Sequence, residues 1–271
     1  MATLSEDKRL LTYDMMSQLP EVTCFTTTRH GGCSSGNYGT MNCGPFTNDD
    51  PENVKRNLQT LTEMLPHKPR ILVIPHQVHG CEKLVVDSSF VSADEEQRRQ
   101  LLEGKDVLLT QEHGVCLCIS TADCIPLAFY DRRLKVAATA HAGWRGTRSR
   151  VASVALTAMT EVYGTRPEDV VAVMGPGISM GGFEVGEEVY GEFQDAGFDM
   201  ASISEWKPKT HKHHLNLWIA NRMQIAEAGV PESQIEMAGI CTWRKYTDFF
   251  SARRLGNDSG RMLTGIMINE D

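Results

Sequence analysis

A mixed α/β fold of the α+β kind, with layered mixed β-sheets flanked by helices, is what this sequence predicts. Short segments rich in branched apolar residues recur along the chain. They do not alternate regularly with helices, which argues against a doubly wound parallel sheet. The stretches of helical periodicity carry their own start and stop signals. With 41% hydrophobic and 23% charged residues, the 271-residue chain can build a core, and intrinsic disorder is excluded as the main reading. No repeat, low-complexity tract or Pro/Ser/Gly-rich linker divides it. Residues 1–25 read as an N-terminal extension with a first strand, and residues 26–271 as a single domain near the upper end of what one core holds.

The elements follow in order. Arg29–Pro45 is rich in Gly, Ser, Asn and Thr and reads as a long structured loop. Asp50 can cap a helix, Pro51 suits its first position, and Val54, Leu58 and Leu61 recur at helical spacing as far as Met64. Arg70–Pro75, Lys83–Asp87, Asp106–Thr110, Val115–Ser120, Ile125–Asp131 and Lys135–Ala142 read as strands. A helix is expected from about Thr147 to Tyr163, then a buried strand at Val170–Met174 ending in Gly175-Pro176-Gly177. Glu187–Gln194 and Leu215–Ala228 read as helices, the second closed by Gly229 with Pro231 beyond it. Ile235–Ile240, Phe249–Arg253 and Arg261–Ile268 are expected to close the chain as strands.

The formal charge of −8, from 27 basic and 35 acidic residues, disfavours a nucleic-acid partner, which would need a basic surface. A local basic pocket for a small anion remains compatible with it. No apolar stretch reaches the roughly 18 residues of a membrane span, so no membrane partner is expected. The opening MATLSEDKRL lacks the apolar core of a signal peptide, and a cytoplasmic location is the expectation. None of the eight cysteines forms a Cys-x-x-Cys pair, which removes support for zinc fingers and thioredoxin-like sites. Most read as buried small hydrophobes, Cys116 and Cys118 sharing one strand face.

Three strand-end segments concentrate polar, metal-competent residues: Pro75–Gly80, Ser120–Pro126 and Thr139–Gly146. They offer His79, Cys124 and His141, 45 and 17 residues apart. Two imidazoles and one thiolate can hold zinc with a fourth position open, to acidify a water or polarise a substrate atom. The same atoms also fit a Cys–His nucleophilic pair with Asp123 as orienter, or two core histidines beside a buried cysteine. In the early loop, Arg29 with Gly31-Gly32 is a candidate anion cradle, against a plain surface turn. Arg145 before a helix is a second anion candidate, and Trp144 reads equally as packing. His211, His213 and His214 read as a solvated stretch or a helix-start contact, and Arg253-Arg254 as a solvated strand end.

The segments TTRHGGCSSGNYGTMNCG, PHQVHG, TADCIPL, AHAGWRGT, GPGIS with FEVGEEV, and CTW with FFSARR occur in this order. Together they closely resemble the YfiH-like family, also called laccase-domain or multifunctional purine nucleoside phosphorylases. The match runs from about Thr26 to the C-terminus. The resemblance implies one α/β domain with zinc held by His79, Cys124 and His141, copper being the other candidate. It implies phosphorolysis of adenosine, inosine, guanosine and S-methyl-5′-thioadenosine, with adenosine deamination besides. Purine nucleosides and phosphate are then the partners, with a monomer or homodimer as the assembly. Other relatives carry polyphenol oxidase or laccase names, or are linked to peptidoglycan-precursor editing. A multicopper oxidase needs several His-x-His pairs, and only His211-x-His213 fits among nine histidines, which ranks that reading lower. Two departures bear on the pocket wall: Ala252 stands where relatives often carry an aromatic residue, and GPGISMGGFEVG lacks their cysteine-rich form.

For such chemistry the expected roles are phosphate or ribose binding by Arg29 and the Gly31-Gly32 backbone. Hydrogen bonds from Asn42 and Gln77 would reach the nucleoside, and Arg145 would form a second clamp. Asp123 would orient a water or a histidine ligand. His79, Cys124, His141 and Asp123 are thus the expected catalytic group.

Overall fold

The computed structural model describes residues 2–270. Three sheets are present among them. The first, in spatial order, joins Ala2–Leu4, Leu10–Tyr13, Val22–Thr27, Met262–Ile268, Val115–Thr121 and Ile71–Val73. The second joins Ile235–Met237, Val170–Met174, Ile125–Asp131, Val136–Ala142, Val107–Thr110 and Lys83–Val85. Both are antiparallel at the centre, the first taking a parallel partner at one edge and the second at both. A small third sheet joins Glu184–Val185, Lys212–Leu215 and Ser204–Lys207.

The two large sheets pack face to face, and strand alternation sorts their side chains into layers. Leu117 and Ile266 of the first sheet meet Leu108, Ala128, Tyr130 and Val173 of the second in the space between. The neighbouring positions point outward. Val107, Leu109, Leu127 and Ala138 face the helices Val151–Tyr163 and Leu217–Glu227. Phe25, Cys116, Cys118 and Leu263 face the helix Pro51–Met64 through Leu61. The order is helix, sheet, sheet, helix, with period-two side chains serving both faces of each sheet. This is why the central strands read as near-continuous apolar runs. It is the layered mixed-sheet fold expected, and Cys116 and Cys118 pack together as expected, Sγ to Sγ 3.6 Å.

Local chemistry sets the boundaries. Asp50 caps the first long helix by accepting from the Glu52 N–H, with Pro51 at its first position. Asn216 caps Ile219, so the helix expected from Leu215 begins at Leu217. The helix expected from Thr147 is two pieces, Trp144–Arg148 and Val151–Tyr163, parted by Arg150 in the left-handed region at φ 60°. Phe249–Arg253 is not a strand. Phe249 and Phe250 are both buried against Ala122 and Met262, which an alternating strand with one buried face does not allow. Ser251 then caps a short helix, Ala252–Leu255. Ser88–Ser92 and Glu95–Leu102 form two further helices, capped by Asp87 and Asp94. No helix is long and apolar enough to cross a membrane among the described residues.

Candidate metal centre

The chain passes from the first sheet to the second twice near one end of the stack. His79 lies between Ile71–Val73 and Lys83–Val85, and Cys124 in the short link between Val115–Thr121 and Ile125–Asp131. His141 lies near the end of Val136–Ala142, opposite Pro126. The folding of these links converges the three side chains. The candidate ligand atoms of His79, Cys124 and His141 lie within 4.8 Å of one another, with His79 exposed, Cys124 half-buried and His141 buried. The two imidazoles meet edge to face, centroids 4.8 Å apart.

A buried carboxylate that the sequence reading missed organises this geometry. Asp106 Oδ1 accepts from His141 Nδ1 at 2.8 Å and from the His79 N–H at 3.1 Å. Its Oδ2 accepts from the N–H groups of Gly80 at 2.7 Å and Val78 at 3.2 Å. One group thus fixes the His141 ring, leaving Nε2 to face the other ligands, and shapes the turn that presents His79. Carboxylates in this place orient metal-ligating histidines. Burial opposes the charge of Asp106, but the His141 imidazole and these N–H donors keep its carboxyl below the usual range.

Two residues of the centre hold left-handed backbone, His79 at φ 63° and Asp123 at φ 93°. Such positions cost about 1–2 kcal/mol each for a non-glycine residue and need support from their surroundings. Asp106 supplies it for His79. For Asp123, Oδ1 accepts from the Thr242 hydroxyl at 2.6 Å and Oδ2 from the Arg253 N–H at 2.7 Å. Glycine supplies clearance. A Cβ on Gly143 would stand 2.8 Å from His79 Cδ2 and 3.0 Å from Cys124 Sγ.

The electrostatics favour a charged sulfur. Burial alone would push the Cys124 thiol up, but the imidazoles of His141 and His79 outweigh it and bring the pKa down to about 6. Burial lowers His141, while the Cys124 sulfur and Asp106 outweigh that and raise it to about 9. Both shifts favour a thiolate–imidazolium pair in the metal-free protein. A divalent cation held by His79, Cys124 and His141 would take the place of that proton.

The triad opens on a cavity of about 840 Å³. Phe46, Trp144 and Phe183 supply aromatic wall, and Arg145, Arg253 and Arg261 supply positive charge. Ala252 is also on the wall. Gln77 reaches the wall too, but its amide is spent on Ser120, accepting from N–H at 2.8 Å and donating to C=O at 3.0 Å.

Other expected site residues lie elsewhere. Arg29 is not on the cavity wall. It donates to the carbonyls of Gly39 at 2.9 Å and Tyr246 at 2.6 Å, its guanidinium over Phe250, so it ties its loop to the neighbouring one. Gly32 packs against Thr40 and Asn57 with no room for a Cβ, and its N–H donates to the Thr40 hydroxyl at 3.2 Å. Asn42 is fully buried and bonds Thr47, Asp49, Gly44 and Arg261. The histidine-orienting carboxylate is Asp106, whereas both oxygens of Asp123 hold loop backbone and Thr242. The histidines of 211–214 do not join the metal-competent group among the described residues. His213 stacks on Tyr190 at 3.8 Å, and His214 is buried, its Nδ1 at 2.9 Å from the Met180 carbonyl. These two lie on a strand rather than on a solvated stretch or at a helix start.

Residues 23–269 match the family described as multi-copper polyphenol oxidoreductase laccase. The chain is 50% identical over 270 residues to a Bacteroides thetaiotaomicron protein named purine nucleoside phosphorylase, covering 100% of both. It is 37% identical over 253 residues to a protein of an unknown prokaryotic organism named adenosine deaminase RL5, covering 93% of this chain and 96% of that one. Among solved structures, the hypothetical protein YfiH of Bacillus licheniformis matches with a TM-score of 0.89 at 27% identity over 99% of each chain. These relatives bear out the resemblance read from the motifs, and their names support an enzyme. With the match spanning nearly its whole length, the chain belongs to the family described as multi-copper polyphenol oxidoreductase laccase.

Proposed function

We propose that this chain is a zinc-dependent purine nucleoside phosphorylase that also deaminates adenosine. The observation that carries the reading is the convergence of His79, Cys124 and His141 in the lining of a cavity that also has aromatic and cationic residues. Two imidazoles and a thiolate, with Asp106 behind one of them, are a donor set that suits zinc. When bound, the cation supplies Lewis acidity facing the cavity.

The residues of the chain supply the rest. Asp106 holds His141 in one tautomer and one orientation. Asp123 anchors the segment that carries Arg253 against the Cys124 link. Phe46, Trp144 and Phe183 offer flat apolar faces for a purine. In phosphorolysis a phosphate oxygen bonds to the anomeric carbon as the bond to the purine breaks, and the base leaves with a proton. In deamination water replaces the exocyclic amine and ammonia leaves. Adenosine, inosine, guanosine and S-methyl-5′-thioadenosine are the substrates on this reading, with orthophosphate as co-substrate.

Copper also suits this donor set. Among the described residues there is one metal-competent group, not the second cluster that four-electron phenol oxidation requires. The deciding experiment couples metal analysis to purine release with and without phosphate. Folded Cys124→Ala is expected to lose both metal and purine release, and sustained phosphorolysis in that variant refutes the proposal. Phenol-dependent dioxygen uptake by copper-loaded protein, absent from the zinc form, reverses the ranking.

A further inference from the structure

The cavity beside the triad carries a charge that the chain as a whole does not. Arg145, Arg253 and Arg261 line it, and its one carboxylate among the described lining residues is Asp123. That carboxylate is committed to the Thr242 hydroxyl and the Arg253 backbone N–H. Among the described residues, none of the three guanidiniums forms an ion pair. Elsewhere Arg133, Arg150 and Arg166 each bridge a carboxylate. In a chain of formal charge −8, guanidiniums gathered around one cavity repel one another unless an anion shares them.

The three are not equally free. Arg261 donates to the carbonyls of Ser259 at 2.6 Å, Gly260 at 3.1 Å and Asn257 at 2.9 Å, so it clasps its own loop. Arg145 lies over the Trp144 ring, 4.3 Å from its centroid, and its guanidinium makes no hydrogen bond to protein among the described residues. Arg253 lies over Phe183 at 5.5 Å and donates to the Glu184 carbonyl at 3.1 Å, which leaves most of its donors unused. Trp144 and Phe183 themselves line the cavity. Each ring therefore holds a planar fork of donors at the wall, and such forks match phosphoryl oxygens in pairs.

We propose that Arg145 and Arg253 form a clamp for a phosphoryl group beside the metal triad. This places the anion away from Arg29 and Gly31-Gly32, the first candidate the sequence offered, and joins Arg145, the second candidate, to Arg253. That the phosphoryl group belongs to orthophosphate, the co-substrate, rests on the phosphorylase reading above. The 5′-phosphate of a nucleotide has the same chemistry and is the other source.

The test is calorimetric titration of the full-length, metal-loaded protein with inorganic phosphate and, separately, with adenosine 5′-monophosphate. Wild type is compared with Arg145→Gln, Arg253→Gln and the double variant. Each single substitution is expected to weaken phosphate binding roughly 10-fold or more, and the pair roughly 100-fold, as lost charge-assisted hydrogen bonds dictate. The KM for phosphate should rise more than the KM for nucleoside, with the far-ultraviolet circular dichroism and metal content held. Should the glutamine variants fail to fold, Arg145→Lys with Arg253→Lys keeps the charge and removes the fork, and a partial loss is expected.

If only the nucleotide weakens, the clamp holds and its ligand is a phosphate monoester. If wild type binds phosphate through these arginines yet releases no purine, the phosphorylase reading falls and the clamp stands. If phosphate Kd and KM in the double variant stay within about two-fold of wild type while purine release persists, the clamp is overturned and the reading survives.

Discussion

Two regions of this molecule concentrate imidazoles, and only one makes a candidate metal centre. His211, His213 and His214 are neighbours in sequence, yet they form no common ligand set among the described residues: His211 and His213 meet Trp206, His213 also stacks on Tyr190, and His214 bonds the Met180 carbonyl. His79 and His141 are far apart in sequence, yet their rings meet at 4.8 Å with Cys124 between reach of both. The difference lies in what stands behind the rings. At the candidate centre a buried carboxylate fixes His141, a glycine clears space for the sulfur, and two left-handed turns present His79 and Cys124. In the strand Lys212–Leu215, a period of two sends His213 and His214 to opposite faces. Sequence density of ligands is therefore a poor guide to metal binding, and support around them a better one.

The contrast can be broken by moving metal affinity from one region to the other. The largest effect is expected from Asp106→Ala, which removes four hydrogen bonds from the turn and the ring together. Metal affinity, measured by chelator competition, should fall roughly 10–100-fold, whereas His213→Gln and His214→Gln leave it unchanged. A metal loss on the second pair and not the first would invert the comparison.

Next is Gly143→Ala, whose new methyl meets His79 and Cys124 at 2.8 and 3.0 Å. Overpacking here should cost about 1–3 kcal/mol in denaturant unfolding and weaken metal binding with it. A third prediction concerns pH. In metal-free protein, Cys124 should be alkylated with a midpoint near 6, reactivity appearing as pH rises through that value because only the thiolate attacks. Cys43, pushed up to about 12 by burial, should stay inert across the same range. A Cys124 midpoint near the ordinary thiol value would show that the imidazoles do not act on it. The smallest effect belongs to Asp50→Ala at the far helix, about 1 kcal/mol of stability with no change in metal affinity.

The legibility of the sequence follows the same division. Val115–Thr121 and Ile125–Asp131 are buried on both faces, so their apolar runs announce strands. Ala2–Leu4 and Ser204–Lys207 are partly exposed edge strands and carry no such run. Glu95–Leu102 buries nothing fully, so no apolar stripe announced it and the sequence reading passed over it. At the site, strand-end motifs pointed to the three ligands, and the family resemblance assigned them to a metal. Asp106 was invisible because it meets His141 across a strand pairing, 35 residues away, with no local spacing to mark it. Arg253 read as a solvated strand end because nothing in FFSARR reveals that a short helix, Ala252–Leu255, turns it to the cavity.

The most direct measurement is X-ray absorption at the metal edge of zinc-loaded protein, wild type beside Cys124→Ala. The account predicts one sulfur at about 2.3 Å with nitrogens at about 2.0–2.1 Å in wild type, and no sulfur in the variant. A wild-type spectrum of light atoms alone, unchanged by the substitution, would contradict it.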